Sequence, residues 1–240
     1  MNLHLNLQWI KLSCMALGAM ALLALMAMYS PAQASAQQPN WPYSQYTLVI
    51  PASGSCHTGG IQVRPGTNFT AEANGQSFPV QLNSTTHTAT FPTLPNNTWV
   101  VVHVPAQTDL SLKDCNGSVD VSGITGQMDL SGGNIAASQV LLRGNSHLHV
   151  DNGSISFDGS LDQYSSNLFD DNTGNISVKL PKIDPFHIDA TTNSGNISTT
   201  LGTPTPSGSS GSQLHVSSQS TQGALLTVNE NSGSMNFNIV

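Results

Sequence analysis

Asn116-Gly117-Ser118-Val119-Asp120-Val121, Asn152-Gly153-Ser154-Ile155-Ser156-Phe157, Thr173-Gly174-Asn175-Ile176-Ser177-Val178 and Ser194-Gly195-Asn196-Ile197-Ser198-Thr199 are versions of one phrase. Gly132-Gly133-Asn134-Ile135 and Ser232-Gly233-Ser234-Met235-Asn236-Phe237 repeat it. Each has a small polar turn, an aliphatic residue, any residue and, in most copies, a second apolar one. The anchors Ile135, Ile155, Ile176 and Ile197 stand 20, 21 and 21 residues apart. A fixed period of this size marks stacked units, because one unit cannot bury its own apolar face.

Around the phrase, apolar residues come in i, i+2 pairs: Val119 and Val121, Met128 and Leu130, Leu148 and Val150, Ile155 and Phe157, Ile176 and Val178, Leu214 and Val216. Such a pair puts both side chains on one face of a strand. Gly, Asn and Asp lie between the pairs, where the chain must turn. The expected fold is therefore all-β. It is a single β-solenoid or β-helix-like stack over residues 113–240, with a period of about 20–21 residues and two or three short strands per period. Residues 202–212 carry no apolar pattern and read as a flexible insertion, after which Leu214 and Met235 resume the register 21 apart. Residues 46–112 read as a small β region continuous with the stack. Its expected strands are Tyr46 to Ile50, Phe78 to Leu82 and Trp99 to Val104, bounded by Pro, Gly and Asn.

Residues 1–36 have another character. Lys11 precedes an apolar run from Leu12 to Met28, and Ala32, Ala34 and Ala36 follow in A-x-A spacing. This is the layout of a secretory signal peptide. An uncleaved N-terminal anchor is the alternative, since the run nearly spans a bilayer. Residues 37–45 read as a linker. Export leaves two cysteines, Cys56 and Cys115, as a candidate disulfide. It would close a loop of about 60 residues, worth roughly 4 kcal/mol in the chain-entropy picture; two free thiols are the alternative.

Only 8% of the residues are charged, and 13 acids outnumber 6 bases. Phosphate binding needs clustered Lys and Arg, so nucleic acid is excluded as a partner. Membrane contact is expected only through an uncleaved N-terminal segment.

In addition, residues 95–240 resemble the bacterial putative-adhesin domain family of unknown function. The resemblance lies in Val101-Val102-His103-Val104-Pro105 leading to Leu110-Ser111-Leu112, in the Gly-Ser/Asn-Ile series, and in Leu180-Pro181-Lys182-Ile183-Asp184-Pro185-Phe186 leading to Ser194-Gly195. It implies a solenoid-like stack on an exported or membrane-tethered protein, and little about activity.

Candidate chemistry is sparse. In His147-Leu148-His149-Val150-Asp151, inward Leu148 and Val150 leave His147, His149 and Asp151 on the outer face. Two imidazoles and a carboxylate suit Zn or Cu, and His215 shares the strand phase of His149. An exposed polar strand face is the plainer reading. Asp170-Asp171-Asn172-Thr173-Gly174-Asn175 is oxygen-rich but lacks a calcium-loop spacing, and an Asx turn is the simpler expectation. Asp158 and Asp162 are a possible catalytic pair that also reads as turn residues. No nucleophile elbow, phosphate loop or dinucleotide fingerprint occurs, and no cofactor is expected. Seven sequons, at Asn68, Asn83, Asn96, Asn116, Asn152, Asn175 and Asn196, follow mostly from the turn phrase. Stacked asparagines are expected to form hydrogen-bonded ladders.

The chain thus reads as an exported, non-catalytic, adhesin-like surface or envelope scaffold, with glycans or envelope proteins as partners. A carbohydrate-active β-helix enzyme and a metal-binding envelope module are the alternatives.

Overall fold

The computed structural model describes residues 46–50, 59–91, 98–207, 210–217 and 223–240, without the side chains of 114–116 and 207. They fall in one compact unit, Pro42–Val240. The expected signal peptide and linker lie outside the described residues. So does the candidate disulfide, through Cys56 and the side chain of Cys115.

Among the described residues the chain is all-β, with no helix. The N-terminal region supplies β1 (Thr47–Ile50), β2 (Gly60–Pro65), β3 (Thr70–Ala73), β4 (Gln76–Phe78), β5 (Gln81–Asn83), β6 (Thr88–Thr90) and β7 (Trp99–Val104). The expected strand from Phe78 to Leu82 is split at Pro79, which has no N–H to give a ladder. The repeat region supplies β8 (Leu110–Ser122), β9 (Thr125–Gly126), β10 (Met128–Leu142), β11 (Asn145–Leu161), β12 (Ser166–Leu180), β13 (Phe186–Thr199), β14 (Thr205–Ser207), β15 (Gly211–Ser217) and β16 (Ala224–Ile239). All join one large, mostly parallel sheet whose main path runs β14-β15-β13-β16-β12-β11-β10-β8-β2-β7-β3-β4. The N-terminal strands enter it through β2, where Ile61 pairs with Val119 and Val63 with Val121.

The strands of the repeat are longer than the short strands expected, because each passes through its polar turn without leaving the ladder. In β12 the buried residues are Asn167, Phe169 and Asp171, then Ile176, Val178 and Leu180. The inward set changes from odd to even numbers across Asn172-Thr173-Gly174-Asn175. The strand bends there, so both halves point apolar side chains inward. β11, β13 and β16 show the same change of phase. Aligned parallel neighbours then stack like on like: Ile135 on Ile155, Ile155 on Ile176, Ile176 on Met235 and Met235 on Ile197. Phe157, Val178 and Phe237 form the next interior row.

The glycine of the phrase is a steric requirement. Gly153, Gly174, Gly233 and Gly195 lie in register on successive strands. A Cβ on Gly174 would fall on the carbonyl oxygen of Gly153, and one on Gly195 would fall on that of Gly233. Only a residue without a side chain lets the bends nest.

Strand order departs from the sequence. Consecutive periods would place β13 beside β12, but β16 lies between them, parallel to both. Leu214 does not continue the parallel register either: it sits on β15, antiparallel to β13. Burial explains the exchange. An interior position needs apolar residues in both halves of the bend. β16 offers Ala224, Leu226, Val228, Met235 and Phe237, all buried, whereas β15 buries only Leu214 among its apolar residues. Within the expected insertion, Thr205 pairs with Gln213 and Ser207 with Gly211 as an antiparallel hairpin. Its Pro206 is tolerable on β14, which ends the sheet path.

Gly174→Ala is expected to cost about 1–3 kcal/mol, as overpacking typically does. Gly202→Ala, whose Cβ would meet, among the described residues, only the Val216 side chain at 3.7 Å, should change little. Urea denaturation of both variants checks this; equal midpoints would remove the glycine from its structural role.

Candidate metal centre

Alternation along β11 puts His147 and His149 on the outer face, interleaved with buried Ser146, Leu148 and Val150. Parallel register then brings Asp170 of β12 directly opposite His149. One Asp170 oxygen accepts from His149 Nδ1–H at 2.6 Å, and the other accepts from His147 Nε2–H. The two rings lie 6.0 Å apart between centroids. A ligand atom from each of His147, His149 and Asp170 lies within 4.8 Å of the others.

Asp151, the carboxylate expected from the sequence, takes the other side of His149. Its Oδ1 lies 3.4 Å from His149 Nε2 and accepts from Asn172 Nδ2 at 2.8 Å. His149 therefore has a carboxylate at each nitrogen. Burial opposes its charge, but the hydrogen bonds and charges of Asp170 and Asp151 outweigh burial and raise its pKa above 6.5. His215 is not part of the cluster. It pairs with Asp189 on β13, and β15 is four places from β11 in the sheet.

The acidic run after Phe169 divides its tasks. Asp170 faces out to the histidines and Asn172 supports Asp151. Asp171 points inward and makes an Asx turn, its Oδ1 accepting from Thr173 N–H at 2.9 Å. In register with Asp171 on β16 is Glu230, and next to Glu230 on β13 is Thr192. All three are buried, and among the described residues Asp171 Oδ2 and Thr192 Oγ1 have no hydrogen-bond partner. Burial pushes Glu230 up from 4.5 to about 7, helped by the Asp171 charge and opposed by the Ser234 N–H. Burial also raises Asp171, against the Thr173 N–H. Sequence reasoning missed Glu230; its signal is an acid at the β16 position where Val150 stands in β11.

Asp158 and Asp162 are each beside a base: Lys179 Nζ lies 2.8 Å from Asp158, and Arg143 Nε 3.8 Å from Asp162. The asparagine ladder alternates with serine. Ser154 donates to Asn134 at 3.0 Å, and Ser234 donates to Asn175 at 2.6 Å.

Comparison with known proteins adds little. No family model and no curated protein matches the chain. Among solved structures, it is similar to a crystal structure described as a putative cell adhesion protein from Clostridium sporogenes. That likeness has a TM-score of 0.36 and 10% identity, covering 80% of this chain and 97% of that one. No family-level match accompanies the resemblance to the adhesin family.

Two titrations test these assignments. Asp170→Asn removes the largest contribution that raises His149, so its pKa in the metal-free protein should fall, as followed by NMR of the imidazole; an unmoved value would separate the two groups. Glu230 holds its proton more tightly folded than unfolded. Its share of stability is thus full below about 4.5 and is lost as pH rises toward about 7. Glu230→Gln should raise the melting temperature by a few degrees at pH 8 and leave it unchanged near pH 4; parallel pH profiles would refute the buried acid.

Proposed function

We propose that this chain is an exported, non-catalytic β-solenoid scaffold of the cell surface or envelope, and that its outer strand face binds glycan or protein. The observation that carries the reading is the row Ala136, Ser156, Ser177, Asn236 and Ser198. These five exposed, uncharged residues stand in register on five adjacent parallel strands. Beside it runs Asn134, Ser154, Asn175, Ser234 and Asn196. Adjacent parallel strands lie about 4.8 Å apart, so the rows repeat hydroxyl and amide groups at a fixed spacing, interrupted only by the Ala136 methyl at the end of the first row. Repeated weak hydrogen bonds of this kind suit an extended partner better than a small molecule. The signal-like segment at residues 1–36 and the low charge support an exported setting.

Cell fractionation with cross-linking tests the proposal. A photoreactive residue placed at Ser177 should capture an envelope glycan or protein, and Ser156→Lys with Asn236→Lys should abolish capture without lowering the melting temperature. A cytoplasmic location, or capture indifferent to the outer row, would sink the reading.

A further inference from the structure

We propose that His147, His149 and Asp170 bind one Zn²⁺ on the outer face of β11 and β12. The proposal goes beyond the scaffold reading and does not depend on it. Three observations carry it.

The first is convergence. Three donors of the types zinc takes, two imidazole nitrogens and a carboxylate oxygen, lie within 4.8 Å of one another. Neighbouring strands of one sheet hold them at fixed register. A cation would take the place of the two imidazole protons that now face Asp170.

The second is the outer support. When His149 binds through Nδ1, its Nε2–H faces Asp151, which Asn172 holds from β12. A carboxylate behind a ligating imidazole fixes the ring and raises its basicity. The His-x-His spacing alone does not supply this; the fold does.

The third is the charge balance. Asp129, in register with His147, is neutralised by Lys113, and Asp158 by Lys179. Among the described residues, the ion pairs of Asp170 and Asp151 are only with the histidines. Two carboxylates share two imidazoles without a Lys or Arg, so the cluster can accept a divalent cation. The donor set argues for a late transition metal over Ca²⁺ or Mg²⁺, which prefer six or more oxygens. Three protein ligands on a partly exposed face leave a fourth tetrahedral position for water.

Zinc titration of the purified full chain at pH 7.5, by isothermal calorimetry and by equilibrium dialysis with metal analysis, tests the site. The expected result is one Zn²⁺ per chain at micromolar affinity. His149→Ala and Asp170→Ala should each weaken binding at least 100-fold, and Asp151→Asn about 10-fold, the range typical of an outer-shell partner. His215→Ala should leave it unchanged. Unaltered metal-free melting temperatures show that the variants fold. No uptake by the native chain at 0.1 mM Zn²⁺, or equal uptake by the His149 and Asp170 variants, would overturn the proposal.

Discussion

The close approach of backbone to backbone at the glycine bends governs this structure. Each bend nests on the carbonyl of the bend beside it, and a side chain there has no room. Because the bends must coincide, the strands on either side are locked in register over their length. Register in turn decides everything a side chain can meet, since a slip of one residue would exchange interior for exterior. Isoleucine falls on isoleucine inside, serine on asparagine outside, and Asp170 on His149. The packing and the candidate site are both consequences of where glycine permits the turn.

Much of this was legible in the sequence. The i, i+2 pairs gave the strand faces, and Val119, Leu130, Val150, Phe157 and Val178 are buried as that alternation requires. The period also held more than was read from it. Adding 21 to His149 gives Asp170, adding it to Asp158 gives Lys179, and adding it to Asp151 gives Asn172; all three are contacts in the fold. Looking only along one strand selects Asp151 as the third ligand, whereas looking one period ahead selects Asp170.

The order of the strands was not legible, for a physical reason. Ile176, Ile197 and Met235 occupy equivalent positions in nearly equivalent phrases, so a local pattern says which face is inward and not which strand is the neighbour. The choice between β13 and β16 as the partner of β12 depends on the whole burial pattern of the strand that remains. β15 has too little apolar surface for an interior place, and its antiparallel pairing covers the far edge of β13. That leaves the apolar-rich β16 to fill the slot.

Placing the last strand inside the sheet has a consequence for stability. β12 and β13 are adjacent in sequence, yet both complete their ladders only when β16 arrives. Its register partners are 38 residues away in β13 and 59 in β12, so its two ladders close longer loops than the 21 residues between β11 and β12. It also sets Glu230 against Asp171 and Thr192 in the buried interior. An apolar residue there, like Val150 in β11, would avoid the desolvation that raises both acids. The acids therefore weaken the strand at its most central point. The flanking rows of Val228 and Met235, stacked on Phe169 and Ile176, must supply the burial that keeps it in place.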